Sequence, residues 1–159
     1  MIIHQKVNVK LIDAIKELSK KKLKVGWGKN QQYPDGTHVA EVAATQEFGS
    51  PADHIPPRPF MRPSIAEYQN KWVKSLVFTA DKVFKKDISV VQGYRLMGDV
   101  VSGDIRKTIS QVWSPPLSKR TIQARKDKLA DGGKSATAGI EKPLVDTGLM
   151  ISSLTSEIQ

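Results

Sequence analysis

The sequence predicts an α+β fold in which a small antiparallel sheet packs against a long helical hairpin, with extended loops between the elements. Three observations carry that prediction. Apolar residues recur at the 3.6-residue helical period through two long adjacent stretches, about 63–85 and 89–112. Two short segments, 23–27 and the "LTSEI" at 154–158, read as strands that pair with each other. Segments rich in proline or glycine, 49–63 and 127–142, interrupt the regular pattern. With 159 residues and 39% apolar content, the chain can bury one core but not two comfortable ones, so residues 1–159 are expected to form a single domain.

The elements follow in order. Leu11, Ile12, Ile15 and Leu18 fall on one side of 9–21, with Lys10, Lys16, Glu17 and Lys20 on the other, which predicts an amphipathic helix. Leu23, Val25 and Trp27 alternate with Lys24 and Gly26, the period of a strand with one buried face. "YPDGT" at 33–37 carries the Asp-Gly chemistry of a tight reversal, and Thr37 is placed to cap a short helix over 38–47.

Pro63 suits the first position of the next helix, whose stripe runs Ile65, Tyr68, Trp72, Leu76, Ala80, Val83. The helix over 89–112 shows Val90, Tyr94, Met97, Val101, Ile105, Ile109 and Val112. Gly93, Gly98 and Gly103 within it each cost roughly 1 kcal/mol against alanine, so they predict close contact or a bend. Pro115 and Pro116 end that helix, and Ser118 can cap a basic one over 119–127. The segment 127–142 lacks an apolar period and reads as a mobile loop. Asp146 has the side chain to cap a helix over 147–153 ahead of the last strand.

Net charge is +9 and concentrated at two places: residues 1–30 hold eight lysines against Asp13 and Glu17, and 115–143 hold seven basic against three acidic residues. Such clusters can attract polyanions through phosphate contacts, or they can simply solvate the surface. The absence of cysteine excludes disulfides and thiolate metal sites. The start of the chain is interrupted by His4, Gln5, Lys6, Asn8 and Lys10, unlike a signal peptide, and no window approaches a membrane span, so a cytoplasmic site of synthesis is expected.

No catalytic pattern emerges. Glu41 and Glu47 are not at the spacing that stacks two carboxylates on a helix face, and His4, His38 and His54 are not at metal-ligand spacing. "GWGKN" at 26–30 lacks the third glycine of a dinucleotide loop, and "GGKSAT" at 132–137 has Lys128 where a phosphate loop needs its first glycine. No catalytic residue, cofactor or metal is therefore assigned.

The segment 46–65, "QEFGSPADHIPPRPFMRPSI", is different in kind. It holds five prolines, two phenylalanines and two arginines in twenty residues. Prolines lower the entropy lost on ordering, and Arg, Phe and Met are anchor types favoured at interfaces. Two readings stay open. Residues 49–63 form a contact arm in which Ile55, Arg58, Phe60, Met61 and Arg62 meet a neighbouring subunit, or Phe60 and Met61 enter this chain's own core while the arginines pair with Glu41 or Glu47.

"YPDGTHVAEVAATQEFGSPADHIPPRPFMRPSI", "LMGDVVSGDIRKTI", "PPLSKRTIQARK" and "KPLVDTGLMISSL" stand in the order and at separations similar to those of a tailed-phage tail-completion or neck family, minor tail protein Z, over roughly residues 20–155. The recurring motifs of that family are matched here by Glu47–Gly49, Ile55–Phe60 and Asp146–Gly148. The resemblance implies a structural virion protein rather than an enzyme. Its expected form is a homo-oligomeric ring, a hexamer, at the head-to-tail junction, which joins the tail to the DNA-filled head. The implied partners are head-completion or connector and tail-terminator proteins, with no membrane. Nonspecific contact with packaged DNA would fall to Lys20, Lys21, Lys22, Lys119, Arg120, Arg125, Lys126 and Lys128. The alternative reading is a basic nucleic-acid-binding module.

Overall fold

The computed structural model describes residues 9–133 and 139–159. The readings of residues 1–8, of 134–138 within the expected loop, and of Lys134 and Ser135 in the phosphate-loop comparison lie outside the described residues.

Among the described residues, six helices and two strands follow in the order α1 (Val9–Lys20), β1 (Leu23–Gly26), α2 (Val39–Phe48), α3 (Met61–Lys85), α4 (Val90–Gln111), α5 (Lys119–Ala130), α6 (Leu149–Ser152) and β2 (Thr155–Ile158). The expected α+β class is what the chain adopts. β1 and β2 pair antiparallel with Leu23 opposite Ile158 and Gly26 opposite Thr155. The reciprocal Lys22 and Gln159 backbone bonds, 2.7 and 2.9 Å, extend the ladder by one step. Two strands alone are marginal in water, so this sheet depends on what lies against it. That support is α4, which packs against both strands and against α3.

The α3–α4 hairpin turns where Lys86 takes a left-handed conformation, φ 66°, and caps α3 through its N–H to the Lys82 and Val83 carbonyls. Ser89 and Gln92 form a reciprocal capping box at the start of α4. Between the helices, the buried Asp104 carboxylate accepts from Lys71 Nζ at 2.6 Å and Trp72 Nε1 at 2.8 Å. A buried carboxylate needs such donors, and here they fix the register of the pair.

The core gathers Val39, Ala43, Phe60, Ile105, Ile109, Leu144, Met150 and Leu154, with Trp27 and Trp72 at its edge. The stripe expected on α4 is the one buried, since Val90, Met97, Ile105 and Ile109 all face inward. On α3 the expected stripe is corrected. Ser64, Tyr68, Thr79 and Val83 are buried, whereas Ile65 and Leu76 are about half exposed. The helix carries apolar residues on more than one arc, and the arc with small polar residues is the one that fits beneath α4.

Several boundaries also move. α3 starts two residues before Pro63, because a carboxylate described below satisfies its first N–H groups. Thr37 does not cap α2. Its N–H bonds to Asp35 Oδ1 at 2.9 Å, and His38 occupies the cap position without a side-chain bond. α5 extends through 127–130, the first part of the expected loop, and stops where Gly132 turns to φ 77°. Asp146 does not cap α6. Gly148, φ 75°, stands there instead, and Leu149 N–H bonds to Thr147 Oγ1.

Candidate functional site

The proline-rich strap folds back onto the end of α2. Ser50 and Ile55 exchange backbone hydrogen bonds of 2.9 Å, and Arg58 N–H reaches the Gln46 carbonyl at 2.6 Å. Gly49 makes this return possible, because its φ is 78° and a Cβ there would lie 2.9 Å from the Ile55 oxygen and the Pro57 nitrogen.

Glu47, buried at the last turn of α2, holds the other end of the strap. Its carboxylate accepts from the N–H groups of Phe60 at 2.6 Å, Met61 at 2.9 Å and Arg62 at 3.2 Å. It also pairs with Arg62 Nε at 2.9 Å. A helix start leaves N–H donors without intrahelical acceptors and favours negative charge, so one carboxylate from α2 serves as the cap of α3. Burial alone would raise the Glu47 pKa, but the three N–H groups and the Arg62 guanidinium outweigh it and hold the carboxyl below its ordinary value.

These contacts correct the reading of 49–63 as an arm that docks on a neighbour. Phe60 is 0% exposed and meets Trp27 edge-on at 5.8 Å between ring centres. Met61 packs against the same core. Arg58 is 4% exposed and donates to the Pro115 carbonyl at 2.7 Å, the Pro116 carbonyl at 2.9 Å and Gln46 Oε1 at 3.2 Å. The strap is thus a clamp that ties α2, α3 and the segment after α4 together. Ile55 is half-buried and borders a cavity shared with α5. Arg62 keeps an exposed side chain and lies over the ring of Phe48, 5.2 Å from its centre. The aromatic that faces outward at the strap is therefore Phe48, 68% exposed, rather than Phe60.

The basic residues also divide. Lys20, Lys22, Lys119, Arg120 and Lys126 are exposed, Lys21 is half-buried, and none of them forms an ion pair among the described residues. Lys128 lies 3.7 Å from Asp146. Arg125 is largely buried, with its side chain 12% exposed. Its Nη1 donates to the carbonyls of Ile140, Lys142 and Val145, and its Nε stands 3.6 Å from Asp146. The "DTG" turn is fastened to α5 through that guanidinium.

Several apolar side chains stay exposed on α3 and α1, among them Leu76, Ile12 and Ile15, which the expected stripes would have turned inward. Val73, Leu76, Val77 and Phe84 fall within one arc of α3 and all are exposed, as are Ile12 and Ile15 on α1. Phe78 and Leu96 border a shallow groove between α3 and α4. The signal was present as a second apolar arc in α3, but periodicity alone does not say which arc is covered.

Among the described residues no group of three or more histidine, aspartate or glutamate side chains could hold a metal, and no helix is long and apolar enough to cross a membrane. No protein-family model, curated protein or solved structure matches the chain at a significant level.

Proposed function

We propose that the chain is a structural virion protein of a tailed bacteriophage, a subunit of a homo-oligomeric ring at the head-to-tail junction that joins the tail to the DNA-filled head. The observation that carries an assembly role is the outward apolar arc of α3, with Val73, Leu76, Val77 and Phe84 exposed together. Monomeric proteins seldom leave contiguous apolar surface of that kind open, and interfaces are where it is covered. The occupant is another copy of this chain, in a closed cyclic arrangement, with a hexamer as the expected size.

The motif resemblance supplies the neck assignment, and the geometry is compatible with its motifs being architectural. Glu47 and Gly49, the strap at 55–60, and the turn at Gly148 each secure a junction between elements. Head-completion or connector and tail-terminator proteins are the proposed neighbours. Lys20, Lys22, Lys119, Arg120 and Lys126, exposed and without an ion pair among the described residues, favour weak contact with passing DNA, because weak sequence-independent attraction suffices in a channel.

Mass photometry and light scattering across a wide concentration range test the assembly role. The expected result is a closed multi-copy species that Val77→Glu with Val73→Glu reduces to a single copy of unchanged thermal stability. A single copy at every concentration, or a double variant that associates as the parent does, overturns it. Salt-sensitive DNA binding by a single copy would favour a nucleic-acid-binding module instead.

A further inference from the structure

A cavity of about 680 Å³ lies between the strap, the start of α5 and the "DTG" turn. Its floor contains Arg58, a cation that is 4% exposed. Charged side chains are almost never buried without an opposite charge. Yet the hydrogen-bond acceptors of Arg58 among the described residues, two proline carbonyls and the Gln46 amide, are all neutral. Arg125 borders the same cavity, and its proximity adds to burial in lowering the Arg58 pKa.

Two further features of the wall favour an anion. Arg120 reaches the cavity from the exposed side of α5. Ser118 and Thr121 place the first turn of that helix on the rim, where the helix dipole favours negative charge even though the Ser118 hydroxyl already accepts the Thr121 N–H. Two carboxylates also border the space, of which Asp146 is offset by cations and Asp53 keeps its charge on an exposed part of the rim. Asp146 faces Arg125 and Lys128, and Asp53 accepts from the Ser50 hydroxyl at 2.6 Å.

The remaining wall decides the kind of anion. Val42, Ile55, Leu117 and Met150 make much of it apolar. A bare phosphate gains nothing from such a wall, and a duplex cannot enter a space of this size. A guanidinium fork matches a planar carboxylate, and apolar wall matches the neighbouring side chains of a peptide.

We infer that the cavity between Arg58, Arg120 and the start of α5 is a binding site for an acidic side chain carried by an extended segment of a partner polypeptide. The inference is independent of the ring proposal, since the site is remote in character from the apolar arc and needs no second copy.

The test is a titration of the ¹⁵N-labelled protein, followed by NMR, with acetyl-Glu-Leu-Glu-amide, acetyl-Gln-Leu-Gln-amide, glutarate and a short DNA duplex as separate probes. The acidic peptide is expected to shift the amides of residues 54–58 and 118–121 to saturation, with the Gln peptide binding at least tenfold more weakly. Arg120→Glu, on an exposed side chain that holds no part of the fold together, should weaken the acidic peptide at least tenfold and leave the remaining spectrum intact. Four outcomes overturn the inference: no saturable shift with the acidic peptide, equal binding of both peptides, glutarate as tight as the peptide, or the same amides answering to DNA instead. None of them depends on the number of copies in solution.

Discussion

Glu47 and Phe60 are joined by a 2.6 Å hydrogen bond from the Phe60 N–H to a Glu47 carboxylate oxygen, across a sequence separation of 13 residues. One buried oxygen thereby fixes where the strap ends, where α3 begins and how deep the Phe60 ring enters the core. The same oxygen accepts the next N–H, that of Met61, at 2.9 Å. Replacement of Glu47 by glutamine keeps the size but removes the charge and turns an NH₂ donor toward donors. Loss of a buried charged acceptor with several partners costs about 3 kcal/mol. Urea unfolding of Glu47→Gln should show a midpoint lowered to match, with an unchanged slope. A change below about 0.5 kcal/mol, the range of ordinary surface substitutions, would remove the carboxylate from its role as a cap.

The same carboxylate makes stability depend on acid in a definite direction. Its folded pKa lies below the ordinary value of 4.5. Above that value the group is ionised in both the folded and unfolded chain, and its full contribution is present. As pH falls from there through the folded pKa, the unfolded chain takes up the proton first, and the contribution drains away. Unfolding free energy measured between pH 6 and pH 3, on the order of the range that linkage assigns to a lowered carboxyl, should fall more steeply for the parent than for Glu47→Gln. Parallel curves would mean that the group titrates normally in the fold. Arg58, although its pKa is lowered by burial and by Arg125, stays charged throughout this range and adds no slope.

How much of this was legible depended on whether a residue's role followed from its neighbours in sequence. The α4 stripe was readable because one apolar period runs the length of the helix, and Val90, Met97, Ile105 and Ile109 are buried along it while Leu96 lies outside it. The pairing of 23–26 with 155–158 was readable from alternation, despite the distance between the segments. On α3 the buried arc includes Ser64 and Thr79, which no hydropathy pattern selects, while the exposed arc is the more apolar one. Asp104, Glu47 and Arg58 are buried charges, and composition assigns charges to the surface until their partners are known. Their partners come from other elements, so burial follows from tertiary placement alone. The strap's chemistry was visible, but whether Phe60 turns inward or outward rests on Trp27 and the space beneath it.

The glycines give the last prediction, because four of them look alike in sequence and differ in surroundings. Gly49 combines φ 78° with backbone atoms 2.9 Å from a would-be Cβ. A side chain there meets both conformational strain and atoms that cannot move cheaply, so Gly49→Ala should cost roughly 3 kcal/mol. Gly98 has ordinary helical geometry, but its added methyl would run into the side chain of Ser156 on β2. Gly98→Ala should cost about 1–3 kcal/mol through displacement of the strand, and Ser156→Gly should recover part of that loss. Gly93 is a milder case, with the Thr79 and Val83 methyls at 3.0 and 3.1 Å. At Gly103 nothing lies within 4 Å. There only helix propensity remains, and Gly103→Ala should stabilise by up to about 1 kcal/mol. Thermal unfolding of the four variants should rank Gly103→Ala above the parent, then Gly93→Ala, Gly98→Ala and Gly49→Ala. If Gly98→Ala matched Gly103→Ala, β2 could not be seated against α4 as described, and the support of the two-stranded sheet would have to lie elsewhere.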